Sequence, residues 1–470
     1  MTQLKKHAFV FLLASLLFNS KAQDNKSSFS LQEAIDYAMK NSPSILNADN
    51  DLLAAKYKKR EIAGIGYPQI NASFDIKDFF KIPVQVIPNF VSPAVMVGLV
   101  TASAVPAPDP ILLTPEGYDP LAAAFGTKYQ AGASISISQI IFSSDYIVAL
   151  QAAKYLELMG TINSRRSKAD LVASVSKAYY TVLVNKERIS LFDANLERLK
   201  KLLNDTKLSN VQGFVELIDV ERLEVTLNNL TIEKQRTERL MALGDAALRF
   251  QMGYVNTNEL ILTDALPESL DEQEISLNKI DPSNRPEYQL LKSSYELNEL
   301  NLRRQKLGYL PTVAAYANGG YNAFRSEFNF FQSGEGKDWY PTLLVGGTIN
   351  LNIFDGFQRH NRIQQAKLEI NKSKQNLVQI QQVVDLETKS AIANLNNAIS
   401  SLKIQTKNKQ LAAHVQDVAS KKYQEGVGNN IEVITAETSL REAQTNYYNA
   451  IYEMLIAKID YQKATGTLVK

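Results

Sequence analysis

One plan is written twice along this chain, and that duplication restricts the folds open to it more than any other feature. Asn41-Ser42-Pro43 opens a helical stretch that closes at Gly66-Tyr67-Pro68; Asn284-Arg285-Pro286 opens another that closes at Gly308-Tyr309-Leu310-Pro311, at offsets of 243 and 242 residues. Ser136 to Phe142 answers to Thr348 to Phe354 at an offset of 212, and Gly213 through Val220 to Gly426 through Val433 at 213. Met252-Gly253 answers to Thr465-Gly466, again at 213. The offset falls by about 30 after the first block, so the first copy carries an insertion between residues 78 and 128. A unit this large is a tandem duplication rather than a short solenoid period. The chain divides into a first repeat (23–254), an acidic connector (255–283) and a second repeat (284–470). The connector runs out in the helix breaker Asp281-Pro282-Ser283-Asn284-Arg285-Pro286.

Each repeat predicts two very long helices. Val175, Val182, Ile189, Leu196 and Leu203 recur by sevens beside Leu171, Ala178, Phe192 and Leu199, with Asn185 as the one polar break. Leu440, Tyr447, Met454 and Tyr461 do the same beside Ala443, Ala450, Ala457 and Ala464, and Leu377, Val384, Ala391 and Ala398 form a further row. Sustained sevens mean helices that pack along their length as coiled coils. The pattern is nearly continuous from Ser144 to Asp205, which at ~1.5 Å per residue reaches roughly 90 Å.

Each repeat also predicts two short strands. Ile70, Ala72, Phe74 and Ile76 alternate with Gln69, Asn71, Ser73, Asp75 and Lys77; Ser134, Ser136 and Ser138 alternate with Ile135 and Ile137; Thr348 to Ile353 alternates without a break; Thr312 to Tyr321 does so more weakly. Such segments suit tilted transmembrane strands, apolar side to lipid and polar side to water. A half-buried strand of a soluble sandwich alternates identically. Four strands cannot close a membrane barrel, the smallest having about eight, and an open edge is not tolerated in lipid. If these strands lie in the membrane, several copies share one barrel.

Lys5 and Lys6 precede the apolar run Ala8 to Phe18, and Ser20-Lys21-Ala22 has the chemistry of a cleavage site. Residues 1–22 therefore read as a secretory signal peptide, the apolar run being shorter than the ~20 residues a span requires. Its removal takes three lysines and no acid, leaving 48 basic and 49 acidic residues. That balance gives no basic footprint for nucleic acid. The absence of cysteine excludes thiol chemistry and disulfides. With three histidines in all, His7, His360 and His414, a histidine-rich metal site or triad has no material to form from.

Two strand pairs, two long hairpins, an internal duplication and a cleaved leader together resemble the TolC family of outer-membrane channels. The most specific pieces are Asn284-Arg285-Pro286-Glu287, Gly308-Tyr309-Leu310-Pro311 before a strand, Asn352-Ile353-Phe354-Asp355-Gly356 after one, and Gly426 to Val433 at a helical turn. The resemblance implies a mixed α+β membrane protein: a homotrimer in which each chain gives four strands to a twelve-stranded barrel in outer-membrane lipid and long α-helical hairpins to a tunnel through the periplasm. It implies a passive exit duct for a tripartite efflux pump or a type I secretion system, docked by a periplasmic adaptor and an inner-membrane transporter. No cofactor and no covalent chemistry are expected.

The family's closed tip is held by polar contacts and narrowed by an acidic ring. Carried over by position, the gating tyrosine falls on Tyr423, the first-repeat aspartate of the turn on Asp219, and the first ring acid on Glu432. The second ring position is Thr435, and the arginine that often pairs across the tip is replaced by Gly428. The insertion holds eight of the fifteen prolines, between Pro83 and Pro120, and is expected to lack regular helix or strand. It reads as a packed outer loop or as a cap over the mouth. The second outer loop carries Phe328, Phe330, Phe331 and Trp339, residues suited to a membrane interface.

Two other readings stand beside this one. A periplasmic adaptor would carry one helical hairpin between split β-domains, whereas this chain shows two hairpins in tandem. An outer-membrane enzyme would need a motif, and neither Gly-x-Ser-x-Gly, His-Glu-x-x-His nor a P-loop occurs.

Overall fold

The computed structural model describes residues 27–89, 91–102, 119–124, 126–256, 259–267 and 281–468. The signal peptide, most of the acidic connector and residues 103–118 of the insertion lie outside the described residues. The chain forms two compact units, one from residues 1–57, 155–298 and 368–470, the other from 58–154 and 299–367.

The duplication is visible in the element lengths. Helix α1 spans Leu31–Asn41 and α2 Pro43–Gly64. After α3, Val91–Thr101, in the insertion, come α4, Ser144–Val211, and α5, Leu217–Met252. The second repeat supplies α6, Pro286–Leu307, then α7, Gln358–Gln424, and α8, Asn430–Thr465. Helices α2 and α6 have 22 residues each, α4 and α7 have 68 and 67, and α5 and α8 have 36 each. Among the described residues no helix is long and apolar enough to cross a membrane.

In the helical unit the rows of sevens are the core. Val175, Val182, Leu196, Leu203, Leu440, Tyr447, Met454 and Tyr461 are all buried; burying each such side chain contributes roughly 1.5–3 kcal/mol. The polar break Asn185 is buried too, and its Nδ2 donates to Thr181 O at 2.9 Å, which satisfies it within its own helix. Contacts between α4 and α8 fix an antiparallel register: Lys177 with Asp460 at 2.5 Å, Thr181 with Tyr452 at 3.3 Å, Asn195 with Gln444 at 3.2 Å. The residue numbers of each pair add to nearly the same value, so the helices run side by side without slippage.

Strand β1, Ser28–Phe29, pairs in parallel with β6, Ile261–Leu262, from the connector. The pair is clamped to α4 by Tyr179, whose hydroxyl lies 3.1 Å from Phe29 O and 3.0 Å from Asp264 Oδ2. Asp264 Oδ2 also accepts from Leu31 N at 2.7 Å at the start of α1. Phe29, Tyr37 and Tyr254 stack edge-to-face around this point. Gly253 and Gly466 end α5 and α8 in the left-handed region, φ 66° and 71°. In each, two N–H groups reach back to the last turn, Gly253 to Phe250 O and Tyr254 to Arg249 O, Gly466 to Lys463 O and Thr467 to Gln462 O, which is the Schellman arrangement.

The other unit is built on a sheet in the order β2-β5-β7-β8, every neighbour antiparallel. Its strands are Gln69–Asp78, Tyr129–Phe142, Thr312–Arg325 and Tyr340–Asn350. The register sorts the side chains into two faces. Ile70, Ile137, Ala317 and Val345 align in one row, and Ala72, Ile135, Gly319 and Leu343 in the next. The intervening row is Asn71, Ser136, Asn318 and Leu344, and the one beyond it Ser73, Ser134, Gly320 and Thr342. One face is thus almost wholly apolar and the other mainly polar. Yet Ile70 is 67% exposed, Leu343 82% and Ile349 71%.

Three expectations need correction here. The proline-rich insertion does hold regular structure: β3, Val84–Ile87, pairs antiparallel with β4, Leu121–Ala124, and α3 is helical. Pro83 and Pro88 flank β3 and Pro93 falls in the first turn of α3, positions where a missing N–H breaks nothing. The last strand starts earlier and stops at Asn350 rather than Ile353, because its partner begins at Thr312 and Pro311 has no N–H to extend the ladder. The aromatic loop folds back, with Phe330 buried against Ala131 and Ala323 on the sheet's apolar side and Trp339 beside it. Phe328 and Phe331 stay exposed.

Candidate functional site

The positions carried over from the resemblance fall at two equivalent turns of the helical unit. Helix α4 ends with Gly213 N donating to Asn210 O and Phe214 N to Ser209 O; α7 ends with Gly426 N donating to Tyr423 O and Val427 N to Lys422 O. Both are Schellman motifs with glycine at positive φ, 80° and 73°. The turns are therefore copies of one another, and each hands the chain to a helix with an acid in its first turn, where the helix dipole favours negative charge.

Those acids are Asp219 and Glu432. Asp219 is half-buried, and its Oδ1 lies 3.4 Å from Arg222 Nη1, three residues on in α5. The residue three beyond Glu432 is Thr435, so the corresponding pair has no counterpart in α8. Glu432 is exposed and forms no ion pair among the described residues. Asn429 caps α8 by accepting from Ile431 N at 3.0 Å. Tyr423 is half-buried in the last turn of α7, and no hydrogen bond joins it to Asp219 among the described residues.

The structure also explains the departure at Gly428. A Cβ on this residue would stand 2.9 Å from Lys422 Cβ and from Tyr423 N, too close for any side chain without moving the end of α7. An arginine here is sterically excluded by the turn as it is built.

Near the turns lies a cluster that the motifs did not reveal. Glu437 on α8 is buried, and its Oε1 accepts from Gln416 Nε2 on α7 at 2.7 Å and faces Arg198 Nε on α4 at 3.5 Å. Arg198 also donates to Asn195, which donates to Gln444 on α8. One carboxylate thus ties three helices together. Its signal in the sequence is an acid adjoining the apolar row Val433, Ala436 and Leu440, all buried. Ile434 packs against the apolar cluster of Leu199, Leu203, Val220 and Leu223, which joins the two hairpins at this end.

Among the described residues no cluster of three or more His, Cys, Asp or Glu side chains is placed to hold a metal. What the site offers is unpaired charge at a turn beside a packed junction of hairpins.

The sequence model of the family described as outer membrane efflux protein matches residues 289–467. The outer membrane protein TolC of Vibrio cholerae is 20% identical over 338 residues, covering 72% of this chain and 76% of that protein. The probable efflux pump outer membrane protein TtgC of Pseudomonas putida is 22% identical over 346 residues, 69% of each. Among solved structures, the outer membrane protein VceC of Vibrio cholerae superimposes with a TM-score of 0.69 at 16% identity, covering 93% of this chain and 96% of that one. That likeness is one of fold.

Proposed function

We propose that the chain is a TolC-like outer-membrane efflux protein, and that three copies close one β-barrel in the outer membrane and form the exit duct of a tripartite efflux pump or type I secretion system. The observation that carries this reading is the sheet. Its apolar face is exposed, and its outer strands β2 and β8 have no partner on their free sides among the described residues. Lipid covers such a face, but it cannot satisfy the free backbone groups of two strand edges. Edge-to-edge closure of copies satisfies them. Two copies would give eight strands, whose interior side chains fill; three give twelve and leave a lumen lined by the polar face.

The helical hairpins then stand in the periplasm, where a periplasmic adaptor and an inner-membrane transporter deliver cargo that passes without covalent change. Three copies of Glu432, and of Asp219 and Tyr423 beside them, surround the narrow end. Like charges brought together around a constriction attract cations and repel one another. The exposed Phe328 and Phe331 settle at the outer membrane interface.

The assembly is tested by native mass measurement and unheated electrophoresis of the detergent-extracted protein. A trimer is expected. A folded monomer that retains the sheet overturns the shared barrel.

A further inference from the structure

Along most of the helical unit the two hairpins meet through apolar rows or through charges that find partners across the helices. Lys177 pairs with Asp460 at 2.5 Å and Lys463 with Asp170 at 2.7 Å. One stretch departs from this. Between α4, α5 and α8 there is a groove of about 630 Å³, within the size range of small-molecule sites. Helices on either side of it are in contact: Ile434 packs on the first hairpin toward the turns, and Thr181 meets Tyr452 at the other end. The gap is therefore local, and it is lined mostly by polar groups.

Its walls carry Arg188 from α4, Glu233 and Arg236 from α5, and Arg441, Glu442 and Asn446 from α8. No ion pair forms among these five charges, and none of them pairs with another described residue. The Arg188 Nε–H is shut off from solvent with no acceptor among the described residues. Burial lowers the pKa of Arg188, Glu233 opposes that shift, and Arg236 adds to it. A guanidinium that is partly desolvated and faces a second cation gains more from an added acceptor than an exposed one does.

We propose that this groove is a binding site for a small multivalent oxyanion, a polycarboxylate or a phosphate, held by Arg188, Arg236 and Arg441. Guanidinium groups bind both oxyanions through paired N–H donors, and three of them against two carboxylates leave the groove net positive. Asn446 adds a neutral amide that makes no side-chain hydrogen bond among the described residues. Arg188 and Arg236 belong to the first hairpin and Arg441 to the second, so a bound anion bridges the two hairpins. The site is complete within one chain and does not depend on the trimer.

Citrate, inorganic phosphate and acetate serve as probes in calorimetric titration of the full-length protein in detergent, with the oligomeric state read separately by mass. Saturable binding of one citrate or phosphate per chain at sub-millimolar concentration is expected, with acetate at least tenfold weaker. Arg188→Gln and Arg441→Gln should each weaken binding about tenfold. Asn446→Asp, which alters no hydrogen bond of the fold, should weaken it by a similar factor. Glu233→Gln removes a competing carboxylate and should tighten binding several-fold, a gain that misfolding cannot mimic. Lys372→Gln, on α7 and outside the groove, should change nothing. Absence of saturable binding, equal affinity for acetate, or indifference to both Arg441→Gln and Glu233→Gln overturns the proposal, whether the protein is monomeric or trimeric.

Discussion

Arg198 on α4 and Glu437 on α8 stand 3.5 Å apart, and the glutamate of this pair is buried while the arginine remains 40% exposed. The same carboxylate accepts from Gln416 on α7, so neutralising it loosens two helix contacts at once. Glu437→Ala should destabilise the protein by about 2 kcal/mol, discounted for the exposed arginine. A double-mutant cycle with Arg198→Ala, followed by thermal denaturation in detergent, should return a coupling of about 1 kcal/mol. Additive effects would mean the pair contributes nothing.

The free acid at the second turn gives a conductance prediction. In planar bilayers a trivalent cation added on the periplasmic side should block the channel through the Glu432 ring. With Thr435 where the family has a second acid, the block should be weaker than two rings would give. Glu432→Gln should abolish it and lower cation preference, while Glu369→Gln, on α7 far from the turn, should leave both unchanged. If both variants behave like the parent, the constriction lies elsewhere.

The insertion hangs from a ladder that is already closed beneath it. Asp78 pairs with Tyr129, and Phe79 N donates to Lys128 O at 2.7 Å, while β3 and β4 pair only with each other. Replacing residues 80–127 with Asn-Gly, a two-residue hairpin turn, should therefore leave trimer yield within about twofold of the parent on unheated gels. Loss of trimers would make the insertion part of the barrel's framework.

At the clamp on the N-terminal strand, burial chiefly raises the pKa of Tyr179 above the ordinary 10.0. The folded state thus favours the neutral phenol. Its contribution is fully present below pH 10 and is lost as pH rises through the higher folded-state value. Tyr179→Phe should cost about 1–2 kcal/mol at neutral pH, and the difference from the parent should shrink above pH 10. Melting curves from pH 8 to pH 12 report it; a constant difference would refute the assignment.

The long hairpins were legible because sevens, glycine stops and the duplication agree over hundreds of residues. Strand polarity was legible from alternation, since each row of the sheet inherits it through the register. The pairing of Ser28–Phe29 with Ile261–Leu262 was not, because two residues carry no period. Helix α3 is masked by the prolines around it: a proline count carries no positions, and Pro93, the one proline within the helix, sits where a helix accepts one. Asp219 and Glu432, carried over by position from the resemblance, do fall in the first turns of their helices. The tie between Glu437, Arg198 and Gln416 was not legible, because it depends on the register among three helices far apart in sequence.

Gly253 and Gly466 descend from one position and keep one geometry, yet they are not equally free to change. A Cβ at Gly253 would lie 2.6 Å from Asn41 O and 3.1 Å from Ser42 Cα, whereas at Gly466 it would meet nothing within 4 Å. Asparagine, which tolerates the left-handed region better than other residues, could settle at 466 for a modest conformational cost. At 253 it would have to displace the junction of α1 and α2. The two copies of the turn therefore tolerate change differently: one glycine is constrained by its own backbone and by a neighbour, the other by its backbone alone.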